Sequence, residues 1–113
     1  SLIESADNQT AAEAAFNIAQ IRYKQDDFAA SIEQCIVLLG KYGLYEQWTD
    51  KTYLLLVNNY MASGELLQAK ATLSYILDNT ENDALKIKAV DLLENITQLE
   101  KRVLTEENDS IDG

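Results

Sequence analysis

The sequence predicts an all-α protein, an α-solenoid in which antiparallel helix pairs stack side by side. Proline is absent and glycine occurs four times in 113 residues, which favours long uninterrupted helices over a turn-rich β fold. One pattern also occurs twice, over residues 12–39 and 50–77: an apolar helix, a short polar break and a second apolar helix. A single pair cannot bury its own apolar face, so we expect neighbouring pairs to stack.

Capping signals delimit the first pair. Thr10 is followed three residues later by Glu13, the reciprocal capping pattern of a helix N-terminus, so a first helix is expected over residues 11–25. Asp26 ends this helix, and Asp27 is a suitable N-cap for a second helix over residues 28–40. Together the two helices predict a first repeat over residues 10–40.

A second pair and a final helix complete the array. A third helix over residues 46–63 is apolar nearly all round, which indicates burial between layers, and Gly64 is its expected C-terminal cap. A fourth helix over 66–79 completes a second repeat, residues 46–79. A fifth, over 83–104, has one narrow apolar stripe and is predicted to cap the array. The acidic segment 105–113 has no periodicity, and we expect it to be disordered.

Small and large residues stand at characteristic positions within each copy. These positions are Ala19, Phe28 and Ser31 in the first copy and Tyr53, Leu56, Tyr60, Gly64, Ala69 and Ile76 in the second. In this pattern the chain resembles the tetratricopeptide repeat family, which implies a right-handed superhelix. Asp26 and Val57 depart from it, standing where the family has glycine and a small residue. The 38 residues from Asp26 to Gly64 (64 − 26) also exceed the family period of about 34.

The chain is further similar to the C-terminal end of long tetratricopeptide proteins of Bacteroidetes-type bacteria. Such proteins are often exported, so the resemblance implies the cell envelope or periplasm, and a cytoplasmic location stays open. The resemblance also implies that this chain is the C-terminal part of a longer repeat protein.

Charge and composition limit the classes of function. A net charge of −10 repels phosphate backbones and anionic lipid, so we expect neither nucleic-acid nor membrane-surface binding. No apolar run is long enough to span a bilayer. Histidine is absent and cysteine occurs once, which removes the residues that zinc sites and serine–histidine catalysis require. We therefore predict a protein that is not an enzyme and that holds no metal or cofactor.

The family resemblance implies a candidate peptide-binding groove lined by the first helix of each pair. The corresponding positions are Glu13, Phe16, Gln20, Tyr23 and Lys24 in the first copy and Lys51, Leu54, Asn58 and Met61 in the second. Family members that clamp a peptide carboxylate have lysine and asparagine where this chain has Phe16 and Gln20, and asparagine in place of Leu55. The clamp is therefore absent. The remaining apolar and amide surface suits an extended or helical peptide, and a merely solvated surface is the alternative.

Cys35 and Trp48 could each serve either in packing or in function. Cys35 lies on an apolar helix face with no cation beside it in sequence, so we expect a small core residue rather than a reactive thiol. Trp48 is expected to pack against Tyr42, Tyr45 or the second helix, with an anchor for a partner protein as the alternative.

These observations predict a non-catalytic protein–protein interaction or scaffold module whose partner is a protein or peptide. The alternative is an accessory or substrate-recognition domain of a larger enzyme or regulator. We also expect self-association through the N-terminal helix, where Ala15, Phe16, Ile18 and Ile21 are predicted to be half covered. Such contacts are expected to result from truncation rather than from a biological dimer.

Overall fold

The computed structural model describes residues 2–42 and 46–112, with side chains placed for residues 8–42 and 47–106. These residues form five helices: α1 (Leu2–Lys24), α2 (Phe28–Tyr42), α3 (Glu46–Ala62), α4 (Leu66–Asn79) and α5 (Asp83–Asp112). No strand occurs in the described ranges, which confirms the predicted all-α class. The bounds of α2, α3 and α4 lie within two residues of those predicted.

The outer ends of α1 and α5 differ from the prediction. Helix α1 begins at Leu2, so Thr10 lies inside the helix and is not its cap. Helix α5 continues to Asp112, so the disorder expected for residues 105–112 is wrong. The reason is the same at both ends: residues 2–9 and 105–112 contain neither glycine nor proline, and nothing in them terminates a helix. Gly113 lies outside the described residues.

The turns after α1 and after α3 have the same backbone geometry. Each passes through one residue in the left-handed region, Asp26 with φ 61° and Gly64 with φ 79°. Each closes with the two hydrogen bonds of a Schellman motif. The bonds are Asp26 N–H to Tyr23 O (3.0 Å) and Asp27 N–H to Arg22 O (2.9 Å), then Gly64 N–H to Met61 O (3.2 Å) and Glu65 N–H to Tyr60 O (2.8 Å).

Side-chain caps begin two of the helices. The backbone N–H of Ala30 donates to Asp27 Oδ1 at 3.3 Å, which confirms Asp27 as the N-cap of α2. In the same way, the N–H of Leu85 donates to Asn82 Oδ1 at 3.2 Å, so Asn82 caps α5. These short polar segments therefore define both the end of one helix and the start of the next.

The chain divides into two compact units, Ser1–Thr72 and Leu73–Gly113. In the first unit, α1, α2 and α3 contact one another in pairs. A cluster of buried residues joins these three helices. Its members are Ala19, Cys35, Leu55 and Leu56, with Phe16, Tyr23, Ile32, Leu39 and Tyr60 packed against them.

The second unit contains the last seven residues of α4 and the whole of α5. Its buried apolar residues are Leu73 and Ile76 in α4 and Leu85, Ala89, Leu92 and Ile96 in α5. Those of α5 are spaced by four, three and four residues, which confirms the predicted stripe on that helix. Beyond Ile96 the stripe continues through Leu99 and Val103, which are exposed.

Candidate functional site

The predicted groove residues lie on α1 and α3, two helices that contact each other in the first unit. They divide by burial into two groups. Charged and amide side chains are exposed at Glu13, Lys24, Lys51 and Asn58, whereas Phe16, Gln20, Tyr23, Leu54 and Met61 are half-buried. The surface thus has an apolar floor that is partly covered, with charged groups extending from it into water.

Phe16 of α1 and Trp48 of α3 form the aromatic contact between these helices. Their ring centroids are 5.8 Å apart and the rings are tilted by 46°, within the range of favourable aromatic pairs. The partners that we expected for Trp48 were Tyr42, Tyr45 or the second helix. Phe16, which was not among them, lies against the Trp48 ring, and Tyr45 lies outside the described residues. Trp48 therefore packs against a residue of the predicted groove.

Lys51 lies one helical turn after Trp48, and its ammonium nitrogen is 4.9 Å from the centroid of the Trp48 ring. At this distance the cation is attracted by the ring face. We call Phe16, Trp48 and Lys51 together the aromatic cluster. It presents two half-buried rings and an exposed positive charge at one place on the α1–α3 surface.

A second aromatic pair lies two turns further along α1. Tyr23 and Phe28 have ring centroids 5.8 Å apart, with the rings tilted by 56°. Tyr23 also packs against the buried cluster of the first unit, as Phe16 does. Since residues seven apart share one helix face, Phe16 and Tyr23 enclose Gln20 between them on that face. Packing thus restrains both aromatic residues of the α1 part of the groove.

The charge of the predicted groove differs in sign from that of the chain. Lys24 and Lys51 contribute +2 and Glu13 contributes −1, so the nine groove residues sum to +1. The whole chain has a net charge of −10. The nine predicted groove residues therefore carry a small positive charge within an acidic chain.

A buried polar network lies beneath this surface, and the sequence did not predict it. Asn59 Nδ2 donates to Ser31 Oγ at 2.8 Å and to Leu55 O at 3.0 Å, while Ser31 Oγ donates to Ala19 O at 2.7 Å. Asn59 Oδ1 is buried and has no hydrogen-bond partner. The signal that could have found Asn59 is its position three and four residues after Leu56 and Leu55, on the buried face of α3.

Cys35 is fully buried among the same three helices, which confirms the prediction of a core residue. Burial raises the pKa of its thiol from an ordinary value of 9.0 to about 12, and a hydrogen bond with Ser31 lowers it by a smaller amount. The thiol is therefore protonated at neutral pH and is a poor nucleophile.

Within the described part of the chain, no group of three or more histidine, cysteine, aspartate or glutamate residues is arranged to hold a metal ion. Among the same residues, no helix combines the length and the apolar character needed to cross a membrane.

The chain was compared with protein-family models, with curated proteins and with solved structures, and no match was found. The resemblance to the tetratricopeptide repeat therefore depends on the residue pattern of the two copies.

Proposed function

We propose that this chain is a non-catalytic protein–protein interaction module of the tetratricopeptide type, and that the exposed side of α1 and α3 binds a peptide segment of a partner protein. The aromatic cluster is the observation that carries this proposal. It places two half-buried rings beside an exposed ammonium group. Aromatic side chains are enriched at protein interfaces, and tryptophan is among the residues that contribute most to binding energy there.

Packing makes these rings suitable as anchors. Phe16 contacts the buried cluster on one side and Trp48 on another, so it has few rotamers left to lose when a partner binds. Lower loss of side-chain entropy leaves more of the contact energy available as affinity. Trp48 is held similarly between Phe16 and Lys51.

The matching turns support the division into repeats. The first helix of each pair, α1 or α3, ends in a Schellman motif, and the left-handed residue stands at equivalent positions, Asp26 and Gly64. The small sites Ser31 and Ala69 are both fully buried. In the proposed architecture, α1–α2 and α3–α4 are the two repeats of an α-solenoid, and α1 and α3 line its binding face.

The chemistry of the surface suggests the character of the peptide. Apolar side chains complement Phe16, Trp48 and Leu54, and a carboxylate complements Lys51 or Lys24. The exposed amide of Asn58 can hydrogen-bond a peptide backbone. We therefore propose a partner segment that combines apolar and acidic residues, in an extended or helical conformation.

The test is selection of binding peptides from a random library on the full chain, followed by titration of the selected peptides. Trp48 is the single tryptophan of the chain, so its fluorescence reports directly on the aromatic cluster. We expect binding to change this fluorescence and Lys51→Glu to weaken affinity by about tenfold or more.

Lys88→Glu in α5 provides the matched control, since Lys88 is exposed like Lys51 and the variant makes the same charge reversal outside the first unit. We expect its affinity to equal that of the wild type. The proposal fails if no peptide is selected, or if selected peptides bind the wild type and Lys51→Glu equally well.

A further inference from the structure

Helix α5 continues for sixteen residues (112 − 96) beyond its last buried side chain, that of Ile96. We call residues 97–112 the α5 extension. Its side chains are described for residues 97–106, and none of them is buried. A helical segment of this length is only marginally stable by itself in water, so it gains stability from contact with another surface.

The α5 extension has the residue pattern of a helix that binds in a groove. Leu99 and Val103 are four residues apart and continue the apolar stripe of α5, yet they are 36% and 48% exposed. Glu106 follows Val103 by three residues, so the two lie side by side on one helix face. The three residues therefore have the i, i+4, i+7 spacing of the anchors by which amphipathic helices bind grooves.

The aromatic cluster on α1 and α3 presents the complementary arrangement. Trp48 and Lys51 are also three residues apart, and Trp48 packs against the ring of Phe16. The Lys51 ammonium nitrogen lies 4.9 Å from the centroid of the Trp48 ring. An apolar surface beside a positive charge thus corresponds to the apolar surface beside a negative charge on the α5 extension.

The charges of the two surfaces are opposite in sign. The α5 extension contains five acidic and two basic residues and sums to −3, and its last eight residues contain four acidic residues and no basic one. The predicted groove residues sum to +1, with both of their cations exposed. Each copy of the chain carries −10, so two copies approach each other most favourably where their local charges are opposite.

We propose that the α5 extension of one copy of this chain binds the predicted groove of a second copy. In this contact Val103 lies against the rings of Phe16 and Trp48, and Glu106 lies beside Lys51. The inference rests on the proposed function, because it uses the same groove and names the α5 extension as a segment of the proposed partner class. The contact joins two different surfaces, so it is heterologous and the copies associate head to tail.

Sedimentation equilibrium of the full chain over a wide concentration range tests the association, in about 0.15 M salt to screen long-range repulsion between copies. We expect reversible association that is weakened about tenfold or more by Val103→Glu and by Lys51→Glu. Val90→Glu is the matched control for the first variant, since Val90 lies in α5 and is 53% exposed. Lys88→Glu is the control for the second. Both controls are expected to associate like the wild type.

Mixing the two weakened variants tests whether the two surfaces bind each other. Val103→Glu retains an intact groove, and Lys51→Glu retains an intact α5 extension. At a concentration where neither associates alone, we expect the mixture to form a complex with one copy of each. Circular dichroism melting of each variant checks that the fold is retained. Folded variants that fail to associate on mixing overturn the inference, because mixing restores a heterologous contact.

A reversal of both charges tests the pairing of Glu106 with Lys51. The double variant Lys51→Glu, Glu106→Lys is expected to regain most of the association that Lys51→Glu loses. A double variant that associates no better than Lys51→Glu contradicts this pairing.

Ile18→Glu distinguishes this contact from the self-association that we expected through the N-terminal helix. Ile18 is 48% exposed and lies two residues after Phe16, on a different face of α1. We expect Ile18→Glu to associate like the wild type. Association that is lost in Ile18→Glu and kept in Val103→Glu overturns the inference.

The library selection distinguishes failure of this inference from failure of the proposed function. A chain that stays monomeric at every concentration overturns the inference. If selected peptides still bind that chain and change its Trp48 fluorescence, the proposed function stands and the groove binds a different protein. If no peptide is selected and the chain stays monomeric, both proposals fail.

Discussion

The side-chain amide of Asn59 in α3 donates a 2.8 Å hydrogen bond to the hydroxyl oxygen of Ser31 in α2, and both residues are fully buried. Ser31 in turn donates to the backbone carbonyl of Ala19 in α1 at 2.7 Å. One chain of hydrogen bonds therefore joins the three helices of the first unit. A polar contact of this kind is directional, so it selects one alignment of helices that apolar packing alone fixes less strictly.

A double-mutant cycle on Ser31→Ala and Asn59→Ala measures this contact. Each single variant is expected to lose about 1–3 kcal/mol, because each removes a buried hydrogen bond while the other partner stays buried. The coupling energy between them is expected to be about 1 kcal/mol. Chemical denaturation of the four proteins gives both values. The neighbouring Asn58 is exposed, so Asn58→Ala serves as control and its coupling to Ser31→Ala should lie near zero.

The two equivalent turns predict opposite effects of glycine and alanine. Asp26 has φ 61°, a conformation that costs energy for a residue with a Cβ atom, so Asp26→Gly should stabilise the fold by about 0.5 kcal/mol. Gly64→Ala should lose about 1 kcal/mol at φ 79°. An added Cβ at Gly64 meets no atom within 4 Å, so this loss reflects backbone conformation alone. Thermal melts of both variants measure the two changes in stability. If both variants gain stability or both lose it, the shared turn geometry is contradicted.

Truncation of buried leucines tests the position of the core in each unit. Leu56 and Leu73 are almost or fully buried, so Leu56→Ala and Leu73→Ala should each cost about 2–5 kcal/mol. Leu67 is 76% exposed and provides the control, with an expected change within about 0.5 kcal/mol. The free energy of unfolding in urea distinguishes these cases. If Leu56→Ala or Leu73→Ala loses as little stability as the Leu67 control, the core has been placed wrongly.

The Cys35 thiol predicts a specific dependence of stability on pH. Its pKa is about 12 in the folded chain against 9.0 for an ordinary thiol, so folding favours the protonated form. This contribution to stability is fully present below pH 9 and is lost as pH rises from about 9 towards 12. Tyrosine and lysine also titrate in this range. The free energy of unfolding is therefore measured for the wild type and for Cys35→Ala at each pH. As pH rises above 9, we expect the wild type to lose more stability than Cys35→Ala. A difference that is independent of pH contradicts the raised pKa.

The middle helices could be predicted closely because their boundaries depend on local chemistry. Asp27 caps α2 through its own side chain, and Gly64 ends α3 because it tolerates positive φ. The outer helix ends were less predictable. Thr10 and Glu13 have the spacing of a capping box. Such a pattern marks the start of a helix only where the residues before it are not helical. Here α1 begins at Leu2, so residues before Thr10 are already helical.

The repeat pattern predicted which residues of α1 and α3 belong to the candidate site. It did not predict which other residues they contact. Phe16 and Trp48 are 32 residues apart in sequence (48 − 16), and no local signal indicates that their rings meet. Asn59 adjoins Asn58 and is chemically identical to it, yet Asn59 is fully buried and Asn58 is exposed. Only the packing of α3 against its neighbours distinguishes the two.

The sequence by itself determined the helical class, the central helix boundaries and the burial of Cys35, because propensity, capping and apolar spacing act over a few residues. The tertiary structure decided which aromatic residue meets Trp48, which asparagine enters the core and which face of α1 stays uncovered. These features depend on how helices far apart in sequence approach one another, and that approach is set by the sum of many weak contacts rather than by any single residue.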